Sequence, residues 1–430
     1  MKILLVIPHT KSKRSFGDKF GYPSLTLQQV AAITPKEHEV ELVDERFVKI
    51  NFKKEYDLVG ISCLTYNSLR GYEIAKIFRK RNTTVVLGGY HASLLPDEAK
   101  KHADSVVIGE AEHTWPQLIE DLKNGKLKDF YKSDKVINSD EIPPARHDIG
   151  VFTPFAQAIQ ATRGCPVGCE WCAMTVVEGK NFRARPIKEI IEEMKSIPQK
   201  RIFFADASLT INPKYTKELF KEMKKLNKTF ECFGNINVIA RDDEFLRLSK
   251  EAGVVRWYLG IESISQENIN QAGKSTNKVG DYKKAIEKIK SYDMEIIGFF
   301  IFGLDHDTPD IFNETLKAMF EWGLDDASFS VLTPYPGTRL FDRFEKEGRI
   351  IAYDWSKYDE GNVNYKPIKM NKEELITGIR HIALSYFSYK QIFKRSLVSC
   401  NFNIIKFFEK LILNFSLRSF YINEKLPKKV

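Results

Sequence analysis

Three cysteines fall within eight residues of this 430-residue chain: Cys165, Cys169 and Cys172, in the string T-R-G-C-P-V-G-C-E-W-C. Three thiolates so close together must share a metal or be kept reduced. Tetrahedral zinc wants a fourth ligand, and nothing at zinc-finger spacing supplies one. Iron–sulfur clusters are held by thiolates, usually four. With only three, a 4Fe–4S cluster keeps one iron open to an outside ligand. The alternatives are a zinc-ribbon remnant or three reduced core cysteines. Gly164 and Gly168 let the backbone wrap closely around a bulky centre. Cys63, Cys232 and Cys400 are scattered, so no disulfide framework is indicated.

The surrounding elements must position that cluster. Short apolar runs start at Lys2, Glu39, Leu58, Thr84 and Ser105, with amphipathic stretches between them, for example from Tyr72 and from Thr114. Near-continuous apolar strands alternating with helices predict a parallel sheet covered on both faces, a small doubly wound domain. Asp129 to Asp140 is polar and Pro143-Pro144 follows, which predicts a linker. Six further strands are expected from Gln157, Arg201, Cys232, Val255, Glu295 and Ala327. Six βα units are too few for a full eight-fold barrel and fit a six-unit open one. The cysteines directly follow its first strand, at the carboxyl mouth where barrel enzymes keep their sites. The strand pattern fades after Gly348, and a helix is expected from Met370, with Asn371 as N-cap and Glu374 completing the box. The expected domains are 1–140, 141–347 and a mainly helical segment 348–430.

The net charge is +9. It suits anionic ligands or surfaces without selecting one. No apolar run approaches the roughly 20 residues of a membrane span. M-K-I-L-L-V-I-P reads as a first strand, not a signal peptide. A cytoplasmic enzyme is expected. In the tail, Ile404, Phe408, Leu411, Ile412 and Phe415 recur at helical spacing among Lys394, Arg395, Lys406, Lys410 and Arg418. Packing on the barrel is the plainer reading, and peripheral membrane contact is the other.

C-x3-C-x2-C after the first strand of a partial barrel resembles the radical S-adenosylmethionine (radical SAM) superfamily. The resemblance implies a 4Fe–4S cluster on Cys165, Cys169 and Cys172. Its open iron would bind the methionine end of SAM, and reduction would yield a 5′-deoxyadenosyl radical that abstracts hydrogen from unreactive carbon. F-F-A-D-A-S makes Asp206 the candidate for the methionine amine, a departure from the commoner Gly-Gly-Glu. G-I-E-S makes Glu262 and Ser263 candidates for the ribose or methionine end. G-F-F-I-F-G-L at Gly298 resembles the fifth-strand motif beside the adenine. Buried Asp206 or Glu262 could instead cap a helix.

In an open parallel sheet, ligands sit outside the carboxyl strand ends. Those ends here include Ser62 and Thr65, then Gly88, Gly89 and His91, then Gly109 and Glu110. V-V-L-G-G-Y-H-A-S-L-L-P-D-E-A, followed by D-S-V-V-I-G-E-A-E, looks like the cobalamin-binding domain of the radical SAM branch that contains the magnesium-protoporphyrin cyclase and hopanoid methylases. The resemblance spans almost the whole chain and implies cobalamin as a third cofactor. It lacks the D-x-H-x-x-G string of domains that ligate cobalt through histidine. The implied activity is methylation of an unactivated carbon on a small-molecule or lipid-like substrate, fed by a reductase such as flavodoxin or ferredoxin. The rivals are a cyclase or other C–H functionalising enzyme without net methyl transfer, and a non-catalytic cofactor or redox sensor. Methylthiolation of transfer RNA needs a second cysteine triad, and the first domain has only Cys63. No nucleic-acid partner is expected.

Overall fold

Lys2–Ile7 (β1) buries four residues in succession, and its alternate side chains enter two different cores. Ile3 and Leu5 join Leu27, Trp115 and Leu118, while Leu4 and Val6 join Ile74, Phe78 and Ala99. A strand apolar on both faces must be covered on both, and helices cover it here. The computed structural model describes residues 1–10, 22–133, 135–150, 156–399 and 404–422.

The first sheet adds Glu39–Asp44 (β2), Leu58–Ser62 (β3), Thr84–Gly88 (β4), Ser105–Ile108 (β5) and Phe130–Lys132 (β6). All are parallel, in the order β2-β1-β3-β4-β5-β6. The strand direction of assembly reverses between β1 and β3, the place where doubly wound sheets open a crevice. β6 lies inside the stretch read as linker. Only Tyr131 of its three residues is buried, so no hydrophobic period marks it.

The second sheet is made of Ala156–Ile159 (β7), Arg201–Phe204 (β10), Thr229–Gly234 (β11), Val254–Glu262 (β12), Glu295–Phe302 (β13) and Asp326–Val331 (β14). They are parallel and consecutive, from β7 at one edge to β14 at the other. This is the six-unit open barrel. The run read as one strand from Gln157 breaks at Gln160. Thr162–Arg163 (β8) then pairs antiparallel with Arg183–Ala184 (β9), so the cysteines sit in the loop of a small hairpin.

Both barrel edges are attended to. Beside β7 stands the first-domain helix Leu25–Ala32, with Gln29 donating to Gln160 (3.2 Å). On β14 the Phe329 amide donates to the Tyr421 hydroxyl (2.8 Å), which partners an edge-strand donor that would otherwise be left open. The helix Lys372–Tyr386 begins with the reciprocal Asn371–Glu374 capping box. Tyr386 then donates to the Leu324 carbonyl (3.0 Å). No helix among the described residues is long and apolar enough to cross a membrane.

Asp326, at the start of β14, is buried, and one carboxyl oxygen has no hydrogen-bond partner. Burial pushes its pKa up to about 6, with Arg395 pulling the other way. A carboxyl raised in the folded state favours the folded form while protonated. Its contribution is present below the unfolded value and is lost as pH rises through about 6. Asp326→Asn is therefore expected to raise the melting temperature at pH 8 and leave it nearly unchanged at pH 4. Thermal unfolding at the two pH values checks this, and an equal shift at both would refute it.

Candidate functional site

The cysteine loop needs its glycines. Gly164 has φ +76°, and a Cβ there would stand 2.1 Å from the Asn181 carbonyl oxygen. The Cys165 amide then donates to Gly179 (3.2 Å). Cys172 stands at the N-cap position of the short helix Ala173–Glu178, with no hydrogen bond from its side chain to the helix. The helix Arg339–Lys346 ties the loop down from the far end of the barrel. Arg339 donates to the Gly168 carbonyl, the Leu340 amide to the Glu170 carbonyl (3.1 Å), and Arg343 grips the Glu170 carboxylate at 2.7 and 3.1 Å. Arg343 also reaches Asp305 (2.7 Å), just past β13. Gly164→Ala is expected to displace the hairpin and cut iron bound per chain severalfold, by backbone clash and by strain at a left-handed position. Iron content after anaerobic reconstitution reads this.

All three thiols are partly exposed. Burial pushes Cys169 up to about 12 and raises Cys165 as well. Thiolates here need cationic compensation, which iron provides and Lys274 assists. Among the described residues, no three Cys, His, Asp or Glu side chains converge closely enough to hold a single metal ion. The donor set fits a cluster.

Glu262 ends β12 after a bulge, at φ +64°. Lys274 donates to its carboxylate and to the Gly260 carbonyl (2.9 Å). Burial opposes the Lys274 charge, but Glu262 and the thiols outweigh it and hold the ammonium above its ordinary value. Lys274 lowers and Glu262 raises Cys169, each by its charge. Ser263 is buried and accepts from the Ser265 amide (3.0 Å). Asp206 faces the protein itself. Its oxygens accept from the Ala161 amide (3.2 Å), the Thr162 amide (2.5 Å) and the Thr162 hydroxyl (2.6 Å), which pins the turn from β7 into the hairpin. Burial raises it to about 7. Gly298 lies within β13, and the space a Cβ would take is occupied by Ile261, Phe300 and Leu324.

At the first sheet's carboxyl edge, Gly109 has φ +80° and open space where a Cβ would be. Gly88 is nearly as open, with Val107 at 3.8 Å. Gly89 is different: its Cβ would lie 2.8 Å from the Cys63 backbone, so a chain crossing demands it. Ser62 ends β3, and Thr65 is buried in the turn that follows. The backbone at Gly88 and Gly109 is thus uncovered on the side a Cβ would take. His91 is fully buried, with Tyr72 at 2.9 Å and Glu98 at 3.4 Å. Glu98 also accepts from the Tyr72 hydroxyl (2.9 Å) and, at both oxygens, from the Trp355 indole (3.0 Å). Burial opposes the Glu98 charge, yet these donors hold it at about 2.

The two carboxyl edges meet. The Tyr90 hydroxyl, just after β4, donates to Glu178 (2.6 Å), at the end of the helix that follows Cys172. Glu110 pairs with Arg163 (2.9 Å) and Arg183 (2.7 Å), on the two strands of the cysteine hairpin, and Glu112 pairs with Arg163 (2.7 Å). Below the loop, Phe203, Phe233, Tyr258 and Phe299 gather on the inner barrel face with centroids 5.3–6.1 Å apart. Tyr22 of the first domain stacks on Phe203 (4.6 Å) and donates to Glu231 (2.7 Å). Lys274, Tyr90, Arg163 and Arg183 were not singled out in the sequence. Arg163 had a signal as the residue of T-R-G-C before the first cysteine, and Tyr90 as part of the G-G-Y-H strand end.

The chain is similar to known proteins along most of its length. Residues 159–319 match the Radical SAM superfamily, 20–119 the B12 binding domain, and 338–404 a domain of unknown function, DUF4070. Bacteriochlorophyllide d C-12(1)-methyltransferase of Chlorobaculum tepidum is 30% identical over 92% of this chain and 89% of its own. The C-8(2)-methyltransferase of the same organism is 32% identical over 87% of each. The solved structure of TsrM from Kitasatospora setae, with cobalamin and a [4Fe-4S] cluster bound, has a TM-score of 0.70 at 14% identity over 97% of this chain and 99% of that one. The chain belongs to the cobalamin-binding-domain radical SAM family. It is a radical SAM enzyme whose cofactors are a 4Fe–4S cluster, SAM and cobalamin.

Proposed function

We propose that the enzyme methylates an unactivated carbon of a small-molecule or lipid-like substrate lodged against the aromatic inner face of the barrel. The observation that carries this is the meeting of the two carboxyl edges at Tyr90 and Glu178, which sets the open edge at Gly88 and Gly109 over the cysteine loop. When bound, the cluster supplies the electron that cleaves SAM, and cobalamin supplies the methyl group. The chain's own residues hold and align. Cys165, Cys169 and Cys172 hold the cluster. Glu262, Lys274 and Ser263 border the SAM site, and Asp206 steadies the loop from beneath. Ser62, Thr65, Gly88 and Gly109 border cobalamin. Phe203, Phe233, Tyr258 and Phe299 receive apolar substrate and exclude water. The relatives that methylate bacteriochlorophyllide d support a substrate of that broad kind. We assign residues 1–140, 141–347 and 348–430 to the cobalamin, barrel and C-terminal parts. The electron comes from a cytoplasmic reductase of the flavodoxin or ferredoxin type.

The test is anaerobic reconstitution with iron, sulfide and hydroxocobalamin, then metal counting and product analysis under strong reductant. The reading expects about four iron and about one cobalt per chain, with 5′-deoxyadenosine and S-adenosylhomocysteine formed together with methylated product. Deoxyadenosine with altered substrate but no S-adenosylhomocysteine would assign C–H functionalisation without methyl transfer. No SAM cleavage at all would leave a cofactor sensor.

A further inference from the structure

The last two helices, Tyr389–Ser399 and Ile404–Phe420, are amphipathic in an unusual sense: both of their long faces carry large apolar side chains. One face is built into the barrel. Ile392, Leu417, Phe420 and Tyr421 are buried, Arg395 donates to the Tyr386 carbonyl (2.7 Å), and Arg418 donates to the Phe387 carbonyl (2.9 Å). The hairpin is thus fixed to the body of the enzyme.

The other face is turned outward. Tyr389, Phe393 and Leu397 recur every fourth residue on the first helix. Ile404, Phe408, Ile412 and Phe415 form the matching row on the second. These seven side chains are 42–70% exposed. Tyr389 meets Phe415 at 5.9 Å and Phe393 meets Phe407 at 5.6 Å, so the two rows make one surface. Scattered exposed hydrophobics need no explanation, but a contiguous patch of this size on fixed helices marks something that covers it.

Charge says what kind of surface that is. Residues 389–430 contain nine Lys and Arg against two Glu, a net +7, while the whole chain carries +9. Lys390 and Lys394 flank Phe393, are exposed, and have no carboxylate partner among the described residues. A second copy packed on this face would bring like charges to Lys390 and Lys394. An anionic lipid surface takes both the apolar row and the charge, the combination by which interfacial helices bind.

We propose that the Tyr389–Phe415 face is a peripheral membrane-docking surface that rests in the headgroup layer of an anionic bilayer. It rests on the exposed row and its charge, independently of the methylation reading. Deleting the tail is no test, because Leu417, Phe420 and Tyr421 belong to the barrel core. The test floats the full-length, cofactor-loaded enzyme with phosphatidylcholine vesicles with and without phosphatidylglycerol. Wild type is expected to float with the anionic vesicles and to be released by salt. The triple variant Phe393→Ser, Phe408→Ser, Ile412→Ser should bind at least about tenfold more weakly. The pair Lys390→Glu, Lys394→Glu should lose most of the preference for phosphatidylglycerol. Both variants should keep wild-type iron content and circular dichroism, since every changed side chain is exposed. Absence of wild-type flotation, equal flotation of the triple variant, or equal binding to neutral vesicles would each overturn the proposal. So would a concentration-dependent dimer that the triple variant abolishes while vesicles are ignored, which would give the face to a second copy.

Discussion

Cys169→Ala is expected to yield a folded protein that binds little iron and forms 5′-deoxyadenosine from SAM at least about a thousandfold more slowly, near 4 kcal/mol in barrier terms. The fold should survive because Cys169 is a partly exposed loop residue outside the barrel core. The chemistry should not, because two thiolates cannot hold three corners of a cluster while keeping one iron open. Cys232→Ala is the control. That thiol is fully buried in the barrel core, and burial raises it well above its ordinary value. Its loss should cost stability and leave iron content alone. Iron per chain, charge-transfer absorbance and chromatography of the nucleoside read both variants. Retained iron with retained cleavage in Cys169→Ala would remove the cysteine loop from the mechanism.

Glu110→Ala should produce the second large effect, and of a different kind. The Glu110 side chain is 14% exposed and its partners Arg163 and Arg183 are 8% exposed. Removing one member of a buried ion pair strands the other charges and typically costs about 3–5 kcal/mol. Arg163 keeps Glu112, so a loss of about 3 kcal/mol is expected. The lost contact joins the first sheet to the hairpin that carries the cysteines. SAM cleavage, which needs only the barrel, should fall little. Methyl transfer, which needs both edges aligned, should fall by at least about tenfold. Denaturant unfolding and the ratio of S-adenosylhomocysteine to 5′-deoxyadenosine separate the two. An Arg183→Ala variant with the same ratio, and a double variant no worse than either single one, would place the effect in this pair.

The parts of the fold visible in the sequence were those with local causes. β1 and β13 are apolar on both faces, so they announce a covered parallel sheet wherever they stand in the chain. The Asn371–Glu374 box is spelled out within four residues. The cysteine spacing is likewise local. What stayed hidden depends on distant partners. β6 is three residues held by pairing with β5. The β8–β9 hairpin joins residues twenty apart across the cysteine loop. Gly89 looks like room for a ligand, and only the crossing of Cys63 shows that the room is already taken. Glu110 looks like an edge residue facing a cofactor until Arg163 and Arg183 arrive from the other sheet. Asp206 looks like a ligand-binding carboxylate, yet its oxygens are spent on Ala161 and Thr162. The tail showed one apolar face in the sequence and has two, because burial on the barrel uses Leu417, Phe420 and Tyr421 and leaves the Ile404–Phe415 row outside.

The Trp355 indole that completes the Glu98 carboxylate follows it by 257 residues. A ribosome working at about 5–20 residues per second needs roughly 13–51 s to travel that far. During that interval the first sheet can form while one wall of its His91–Tyr72–Glu98 pocket is still missing. Tyr22 likewise waits for Phe203 and Glu231. The nascent first domain is therefore provisional until the last quarter of the chain emerges. The same dependence makes it a poor unit of exchange: grafting residues 1–140 onto another barrel would transplant a carboxylate and an aromatic ring whose counterparts stay behind.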